Sequence, residues 1–198
     1  ILVGTTEMGQ GAKTVLSQIA CQALEVPMSR VHIVCGDTDR APFDAITASS
    51  RSTVCMGNAV LDACENVKDK LRRFGAEFWG EEPAAVLVRD GCVCCGDRRA
   101  TLGEMVTSVY GPGEGQVVAF GEFRQERDRS HTLGGKIMFW EIIFVAAEVE
   151  VDEETGCYAV RKLATAADVG RAINPLSGEG QDEGGALMSV GQAMMEQF

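Results

Sequence analysis

A glycine-rich loop lies between an apolar stretch and an amphipathic helix at the start of the chain. The loop, Gly4-Thr5-Thr6-Glu7-Met8-Gly9-Gln10-Gly11, follows the apolar residues Ile1-Leu2-Val3. Apolar residues then recur at the spacing of one helix face from Ala12 to Leu24, and Pro27 marks the end of that pattern. The order strand, loop, helix predicts half of an α/β unit and places the loop at a helix N-terminus, where backbone N–H groups can bind an anion.

The rest of the chain mixes helix and strand patterns. The predicted elements are a strand at Val31–Asp37, a helix with one apolar stripe from Val60 to Phe74, strands at Ala84–Arg89 and Cys92–Cys95 around the Asp90-Gly91 turn, a helix from Thr101 to about Val109, strands at Val117–Arg124, Ile142–Val151 and Cys157–Val169, and a polar loop at Gln125–Lys136. This mixture predicts an α+β fold with two α/β subregions, mixed sheets and flanking helices. We expect a first subregion at 1–75, a hairpin, short helix and connecting loop at 76–116, and a second subregion at 117–198.

The last predicted helix is unusually rich in glycine. Asn174-Pro175 supplies an N-cap and a first-turn proline, and glycines follow at 178, 180, 184, 185 and 191. Each glycine inside a helix costs about 1 kcal/mol relative to alanine. We expect close approach of another backbone or a ligand to offset that cost; the alternative is an irregular loop over 175–185.

Composition and charge exclude several classes of function. Hydrophobic residues form 45% of the 198 residues, charged residues 24%, and the net charge is −11. These values are typical of a globular protein, and the acidic excess argues against nucleic acid or an anionic membrane as a partner. No apolar run approaches the ~20 residues that span a bilayer.

The cysteines predict no metal site. Their spacing does not fit a disulfide framework, so we expect reduced thiols in a cytoplasmic protein. Cys92-Val93-Cys94-Cys95 lacks the second pair of ligands that a closed zinc site requires, and we interpret it as part of a strand.

The two ends lead us to expect a fragment of a longer protein. The chain starts without Met inside an apolar stretch, and it stops at Met194-Met195-Glu196-Gln197-Phe198, inside a predicted helix without a cap signal.

Two loops are candidate anion sites. The first, Gly4 to Gly11, matches neither a nucleotide-triphosphate loop, because Ala12 precedes Lys13, nor a dinucleotide loop, because Thr14 stands in place of the last glycine. From the spacing alone, a phosphate site and a plain tight turn both stay open. The second loop is Thr47-Ala48-Ser49-Ser50-Arg51-Ser52-Thr53, whose hydroxyls either face a ligand or cap the following helix.

Taken together, these motifs resemble the molybdopterin-binding region of the xanthine dehydrogenase and aldehyde oxidase family. One block of the resemblance comprises the loop from Gly4 to Gly11, Gln18-Ile19-Ala20, Asp37-Thr38-Asp39, Thr47-Ala48-Ser49-Ser50 and Gly57-Asn58-Ala59. A second block comprises Asp168-Val169-Gly170-Arg171-Ala172-Ile173-Asn174-Pro175 and Gly180-Gln181-Asp182-Glu183-Gly184-Gly185. Order and spacing agree along essentially the whole chain.

The resemblance implies a cofactor and a reaction. Its cofactor is molybdopterin carrying molybdenum, in some members extended to a cytosine dinucleotide, and the residues implied to bind it are Gly9, Gln10, Gly11, Thr47, Ser50, Ser52 and Gln181. The implied reaction hydroxylates an electron-poor carbon of a purine, N-heterocycle or aldehyde with oxygen from water. The implied partners are the remainder of the molybdenum subunit and the domains or subunits that carry iron–sulfur clusters and FAD.

The chain lacks other parts of that family's pattern. The catalytic glutamate of the family lies beyond the end of this chain, so we assign no catalytic residue and do not substitute Glu183 or Glu196 for it. The iron–sulfur cysteine motifs are also missing, and we expect no turnover by these residues alone. Two rival hypotheses are a scaffold or assembly module of the same fold without cofactor, and a binder of another phosphate-containing ligand.

Overall fold

The computed structural model describes residues 1–124 and 140–197, which belong to two compact units, Ile1–Gln125 and Glu126–Phe198. The predicted α+β class is confirmed: the described residues form α-helices and small sheets, both parallel and antiparallel. The predicted division at 1–75, 76–116 and 117–198 stays a prediction.

The first unit opens with a short parallel βαβ arrangement. Strand β1 (Leu2–Val3) pairs in parallel with β2 (Val34–Cys35), and helix α1 (Ala12–Leu24) connects them. Parallel neighbours need such a crossover, because a tight hairpin can only join antiparallel strands. The strand predicted at Val31–Asp37 is shorter in the structure because its partner β1 offers only two residues for pairing.

Helix α2 (Gly57–Trp79) links two hydrophobic clusters. It follows directly on a π-helical turn at Ser52–Met56. One cluster, with α1 and β1, contains Val3, Leu16, Ile19, Ala20, Val60 and Cys64. The other contains Leu71, Ala76, Val86, Val88, Val93, Cys95 and Met105. One long helix therefore ties the glycine-rich loop region to the small antiparallel sheet.

That sheet contains three strands and leads into a capped helix. The strands β3 (Leu87–Arg89), β4 (Cys92–Cys95) and β5 (Arg98–Thr101) are antiparallel neighbours. Asp90 and Gly91 both have positive φ, 49° and 64°, as the predicted two-residue turn requires. The start of the predicted strand Ala84–Arg89 is instead a 3-10 turn at Pro83–Ala85. Helix α3 (Leu102–Tyr110) begins with the predicted capping box of Thr101 and Glu104.

The strand predicted at Val117–Arg124 is wrong: this segment has no strand partner in the described structure. Its backbone instead bonds to side chains of α2. The Asn66 amide donates to the Phe120 carbonyl at 2.9 Å, and the Asp62 carboxylate accepts the N–H of Glu122 at 2.9 Å. The side chains of Asp62 and Asn66, one helical turn apart, thus satisfy backbone groups that a neighbouring strand would satisfy in a sheet. The apolar pattern of the segment does not reveal such partners.

The second unit contains a long hairpin and a helix. Strands β6 (Ile142–Val151) and β7 (Tyr158–Asp168) are antiparallel, with a bulge at Glu148/Val149, and every residue of β6 is exposed. Helix α4 (Pro175–Met194) starts where predicted, with the Asn174 side chain accepting the N–H of Ser177 at 3.1 Å. An irregular loop over 175–185 is therefore wrong, and the helix ends at Met194, before the chain does.

The glycines of α4 at positions 178, 180, 184, 185 and 191 face open space: within the described residues, no protein atom lies within 4 Å of where a Cβ would stand. Within the second unit, residues 140–197 thus do not supply the close neighbour predicted to offset these glycines. The predicted polar loop at 125–136 lies outside the described residues.

Among the described helices, none has both the length and the apolar character needed to cross a membrane.

Candidate functional site

The glycine-rich loop closes on its own glutamate. Oε1 of Glu7 accepts the backbone N–H groups of Gly9 at 2.9 Å and Gly11 at 3.1 Å, and Oε2 accepts that of Lys13 at 2.9 Å. Gly11 is the N-cap of α1 and has no side chain to cap it, so the Glu7 carboxylate satisfies amides that would otherwise lack a partner. In this structure the anion at the start of α1 is therefore Glu7.

These contacts change the acidity of Glu7. The N–H of Lys13 is the main cause of a pKa below the ordinary value, and the N–H groups of Gly9 and Gly11 and the charge of Lys13 act in the same direction. Burial opposes them. Since a carboxylate that accepts several N–H bonds prefers its charged form, Glu7 is ionised at neutral pH.

The Gln10 side chain spans the same loop. Its Nε2 donates to the Thr6 carbonyl at 2.9 Å, and its Oε1 accepts the N–H of Met8 at 2.7 Å. A carboxamide has two N–H donors and an oxygen with two lone pairs. Gln10 thus keeps one donor and one acceptor position for a further partner.

The segment 42–47, which leads into the second loop, contacts three successive residues of the glycine-rich loop, positions 4 to 6. A Cβ on Gly4 would lie 2.5 Å from the Pro42 carbonyl oxygen, so only glycine allows this approach. The Thr5 hydroxyl, fully buried, donates to Oδ2 of Asp44 at 2.7 Å. The Thr6 N–H donates to the Thr47 hydroxyl at 2.9 Å. Thr47, one of the predicted site residues, is therefore joined directly to the glycine-rich loop.

The hydroxyl-rich segment has an unusual backbone. Ser49 and Ser50 have φ of 58° and 51°, in the left-handed region that non-glycine residues seldom adopt. Arg51 follows them, and its Nη1 donates both to Oδ1 of Asp44 at 2.7 Å and to the Ile46 carbonyl at 2.8 Å. The π-helical turn then begins at Ser52. Positive φ values and π-turns both occur preferentially at functional sites.

A small cleft connects the two loops. It is small and is lined by Gln10, Ala12, Val15, Leu16, Ser52 and Thr53. Two predicted site residues that are 42 positions apart in sequence, Gln10 and Ser52, are thus brought together. Ala12 is the first residue of α1, next to the amides of Gly11 and Lys13 that Glu7 accepts.

The structure describes the remaining predicted residue, Gln181, on the exposed surface of α4 in the second unit. Its role beside the other predicted residues stays a prediction.

All eight cysteines are free thiols. In residues 1–124 and 140–197, no group of three His, Cys, Asp or Glu side chains is placed to hold a metal ion.

Sequence reasoning assigned no individual role to four residues of this region: Thr5, Glu7, Asp44 and Arg51. Asp44 and Arg51 stand seven positions apart in a polar loop and look like ordinary solvated charges. The burial of Thr5, whose hydroxyl then needs a hydrogen-bond partner, is visible only in the structure and leaves no signal in the sequence.

Known proteins are similar to this chain in sequence and in fold. A profile of the molybdopterin cofactor-binding domain matches residues 1–198. The chain is 31% identical to the "Probable hypoxanthine oxidase XdhD" of Escherichia coli strain K12 over 197 residues, 98% of this chain and 20% of that protein. It is 28% identical to the "6-hydroxypseudooxynicotine dehydrogenase complex subunit gamma" of Paenarthrobacter nicotinovorans, covering 100% of this chain and 25% of that subunit.

A solved structure agrees with the fold. The crystal structure of a Cu,Mo-CO dehydrogenase in its carbon-monoxide-reduced state superimposes with a TM-score of 0.72 and 24% identity, covering 92% of this chain and 22% of that one. The chain spans between a fifth and a quarter of the length of these three proteins. It belongs to the family of molybdopterin cofactor-binding domains, as the resemblance in its sequence predicted.

Proposed function

We propose that this chain holds part of the molybdenum cofactor in a larger oxidoreductase that hydroxylates an electron-poor carbon of a purine, an N-heterocycle or an aldehyde. The observation that carries the proposal is the cleft in which Gln10 and Ser52, from the two loops of the family pattern, line one surface. The names of the two relatives, an oxidase of hypoxanthine and a dehydrogenase of a nicotine derivative, support a heterocyclic substrate.

The donor set of the cleft fits a pterin or its phosphate. A pterin edge presents both donors and acceptors, and hydroxyls and carboxamides supply both in return. Gln10 retains one donor and one acceptor, and Ser52 and Thr53, which carry hydroxyls, also line the cleft. The cleft is much smaller than the ~300–1,000 Å³ of complete ligand pockets. It suits one portion of the cofactor, with other polypeptide covering the rest.

Each residue then has a defined task. Gln10, Thr47, Ser50, Ser52 and Gln181 hydrogen-bond the cofactor, and the glycines at positions 9 and 11 let the loop backbone approach it closely. When bound, the molybdenum centre supplies the redox chemistry of the hydroxylation. The protein's contribution in this chain is to bind and orient that group, and the proton-transfer residue lies elsewhere in the larger protein.

The second unit supports the need for further polypeptide. Large apolar side chains of its hairpin are exposed, among them Phe144 at 71% and Val145 at 58%. Contiguous exposed apolar surface marks an interaction site. We propose that the remainder of the molybdenum subunit covers it, and that iron–sulfur and flavin domains or subunits receive the electrons.

The test replaces Gln10 in the complete natural protein, purified from cells that make the cofactor. Gln10→Leu removes the donor and the acceptor but keeps the side-chain volume, and Gln22→Leu, an exposed glutamine on α1, is the matched control. We expect molybdenum and pterin per chain to fall at least several-fold in Gln10→Leu and to stay unchanged in Gln22→Leu. Equal cofactor content in both variants would contradict the proposed site.

Two other outcomes would favour the rival hypotheses. Wild-type protein that carries neither molybdenum nor pterin would favour a cofactor-free scaffold. Wild-type protein with a bound nucleotide and no molybdenum would favour a binder of another phosphate-containing ligand.

A further inference from the structure

Asp44 and Arg51 form an ion pair at the base of the hydroxyl-rich loop. Nη1 of Arg51 lies 2.7 Å from Oδ1 of Asp44, whose side chain is only 9% exposed. The other carboxylate oxygen, Oδ2, accepts the hydroxyl of buried Thr5 at 2.7 Å. The Asp44 carboxylate therefore joins the glycine-rich loop to the loop that contains Ser50 and Ser52.

The pair also closes the loop on itself. The same Nη1 atom of Arg51 that bonds Asp44 donates to the Ile46 carbonyl at 2.8 Å. Between Ile46 and Arg51 lie Ser49 and Ser50, both with positive φ. Such backbone conformations persist only where surrounding contacts determine them, and the Arg51 bonds are the contacts at this loop's two ends.

We propose that Asp44 and Arg51 are positioning residues: their ion pair holds the 44–52 segment in the conformation that presents Ser50 and Ser52 to the cofactor. This inference rests on the proposed cofactor function. Neither side chain lines the cleft, so the pair acts through the backbone that it fixes.

The competing role for Arg51 is direct binding of a cofactor phosphate. An arginine beside two serines is a common anion ligand. Here, however, Nη1 is committed to Asp44 and Ile46, and the Asp44 carboxylate places a negative charge against the guanidinium. The two roles predict opposite effects of removing the Asp44 charge. Asp44→Asn weakens cofactor binding if Arg51 positions the loop, and strengthens it if Arg51 binds phosphate directly.

Conservative replacement of Arg51 gives a second discrimination. Because both of its bonds come from one nitrogen, a lysine Nζ has enough donors to make both, whereas methionine makes neither. Arg51→Lys should therefore retain cofactor and Arg51→Met should lose it. Arg72→Met is the matched control, since Arg72 forms exposed ion pairs with Glu65 and Asp69 on α2.

The experiment uses the complete natural protein in five forms: wild type, Asp44→Asn, Arg51→Met, Arg51→Lys and Arg72→Met. Molybdenum and pterin per chain are measured after purification, followed by the rate of cofactor release on dilution. Hydrogen exchange of peptides covering 44–56 is measured on cofactor-free protein. We expect about tenfold faster release and faster exchange in Asp44→Asn and Arg51→Met, the effect of a lost charge-assisted hydrogen bond. Arg51→Lys and Arg72→Met should resemble the wild type.

Three results would overturn the inference. They are unchanged or slower release in Asp44→Asn, loss of cofactor in Arg51→Lys equal to that in Arg51→Met, and unchanged exchange over 44–56 in both disruptive variants. Wild-type protein without cofactor would instead overturn the proposed function. If the wild type carries cofactor and Asp44→Asn keeps it as well, only the positioning role of the pair is overturned.

Discussion

Oε2 of Glu7 accepts the backbone N–H of Lys13 at 2.9 Å. The carboxylate of this residue of the glycine-rich loop therefore lies at the N-terminus of helix α1. A loop of this kind usually offers its amides to a ligand phosphate. Here Glu7 takes the amides of Gly9, Gly11 and Lys13. These three amides therefore already have a partner, and this sets the loop apart from nucleotide-triphosphate loops, whose amides face a phosphate.

Replacing Glu7 should loosen the start of α1. The carboxamide that Glu7→Gln introduces can accept from Gly9 and Gly11 but offers an N–H group, not an acceptor, to Lys13. We expect hydrogen exchange of the amides over 8–13 to become about fivefold faster, equivalent to ~1 kcal/mol, the usual value of a lost helix cap. Glu77→Gln, an exposed glutamate on α2, is the control. Equal protection in the two variants would show that Glu7 does not cap α1.

The same contacts predict a dependence on pH. Because folding lowers the pKa of Glu7 below its ordinary value of 4.5, the unfolded chain binds more protons in that range. The stabilisation by Glu7 is complete above that ordinary value and is lost as the pH falls through the lower folded-state pKa.

The measurement is the difference in loop protection between wild type and Glu7→Gln at about pH 6 and about pH 3.5, corrected for intrinsic exchange rates. We expect a large difference at the higher pH and a smaller one at the lower. A difference that grows on acidification would contradict the assignment of the Glu7 carboxylate as the capping group.

Gly4→Ala should separate the two loops. The added Cβ would lie 2.5 Å from the Pro42 carbonyl oxygen and 2.8 Å from the Asp44 nitrogen, and backbone atoms cannot swing aside as a side chain does. We expect destabilisation of about 2 kcal/mol, typical of overpacking, and loss of protection over 42–47. Gly103→Ala is the control, since a Cβ there meets open space. Cofactor content should fall only in Gly4→Ala; full content there would mean that contact between the loops is not required.

The glycines of α4 give a test with two opposite readouts. Gly178 and Gly184 have no neighbour within 4 Å of an added Cβ among residues 140–197, so alanine at both should stabilise the cofactor-free helix by up to ~1 kcal/mol per position. Exchange of α4 amides in cofactor-free protein should accordingly become slower.

In the loaded protein the same alanines should lower cofactor retention, because a ligand or backbone that approaches the glycines would meet the new methyl groups. Glu179→Ala, an exposed change in the same helix, is the control. A more stable helix with unchanged retention would show that close approach does not explain these glycines.

Local signals in the sequence predicted most of the fold. The Thr101–Glu104 capping box, the Asp90-Gly91 turn and the Asn174-Pro175 helix start are each specified by neighbouring residues, and each is confirmed. The segment 117–124 could not be predicted, because its hydrogen-bond partners are side chains of α2 that lie 48 to 60 positions away. Its apolar run Val117-Val118-Ala119-Phe120 is equally compatible with a strand.

The candidate site also has features that the sequence predicts and features that it does not. The glycine-rich loop and the serine-rich loop are visible as residue patterns, and the structure brings Gln10 and Ser52 to one cleft. The Asp44–Arg51 pair was not predictable, because charges in a polar loop are usually solvated. The role of Glu7 was not predictable either, since its partners are backbone amides and leave no trace in residue type.

The most direct test of the central claim is the molybdenum and pterin content per chain, measured by elemental mass spectrometry and pterin fluorescence. The sample is the complete natural protein, purified with its partners from cells that make the cofactor. We expect near-stoichiometric molybdenum together with pterin. A complete, folded protein that contains neither, beside a loaded molybdenum enzyme from the same cells, would contradict the proposed cofactor function.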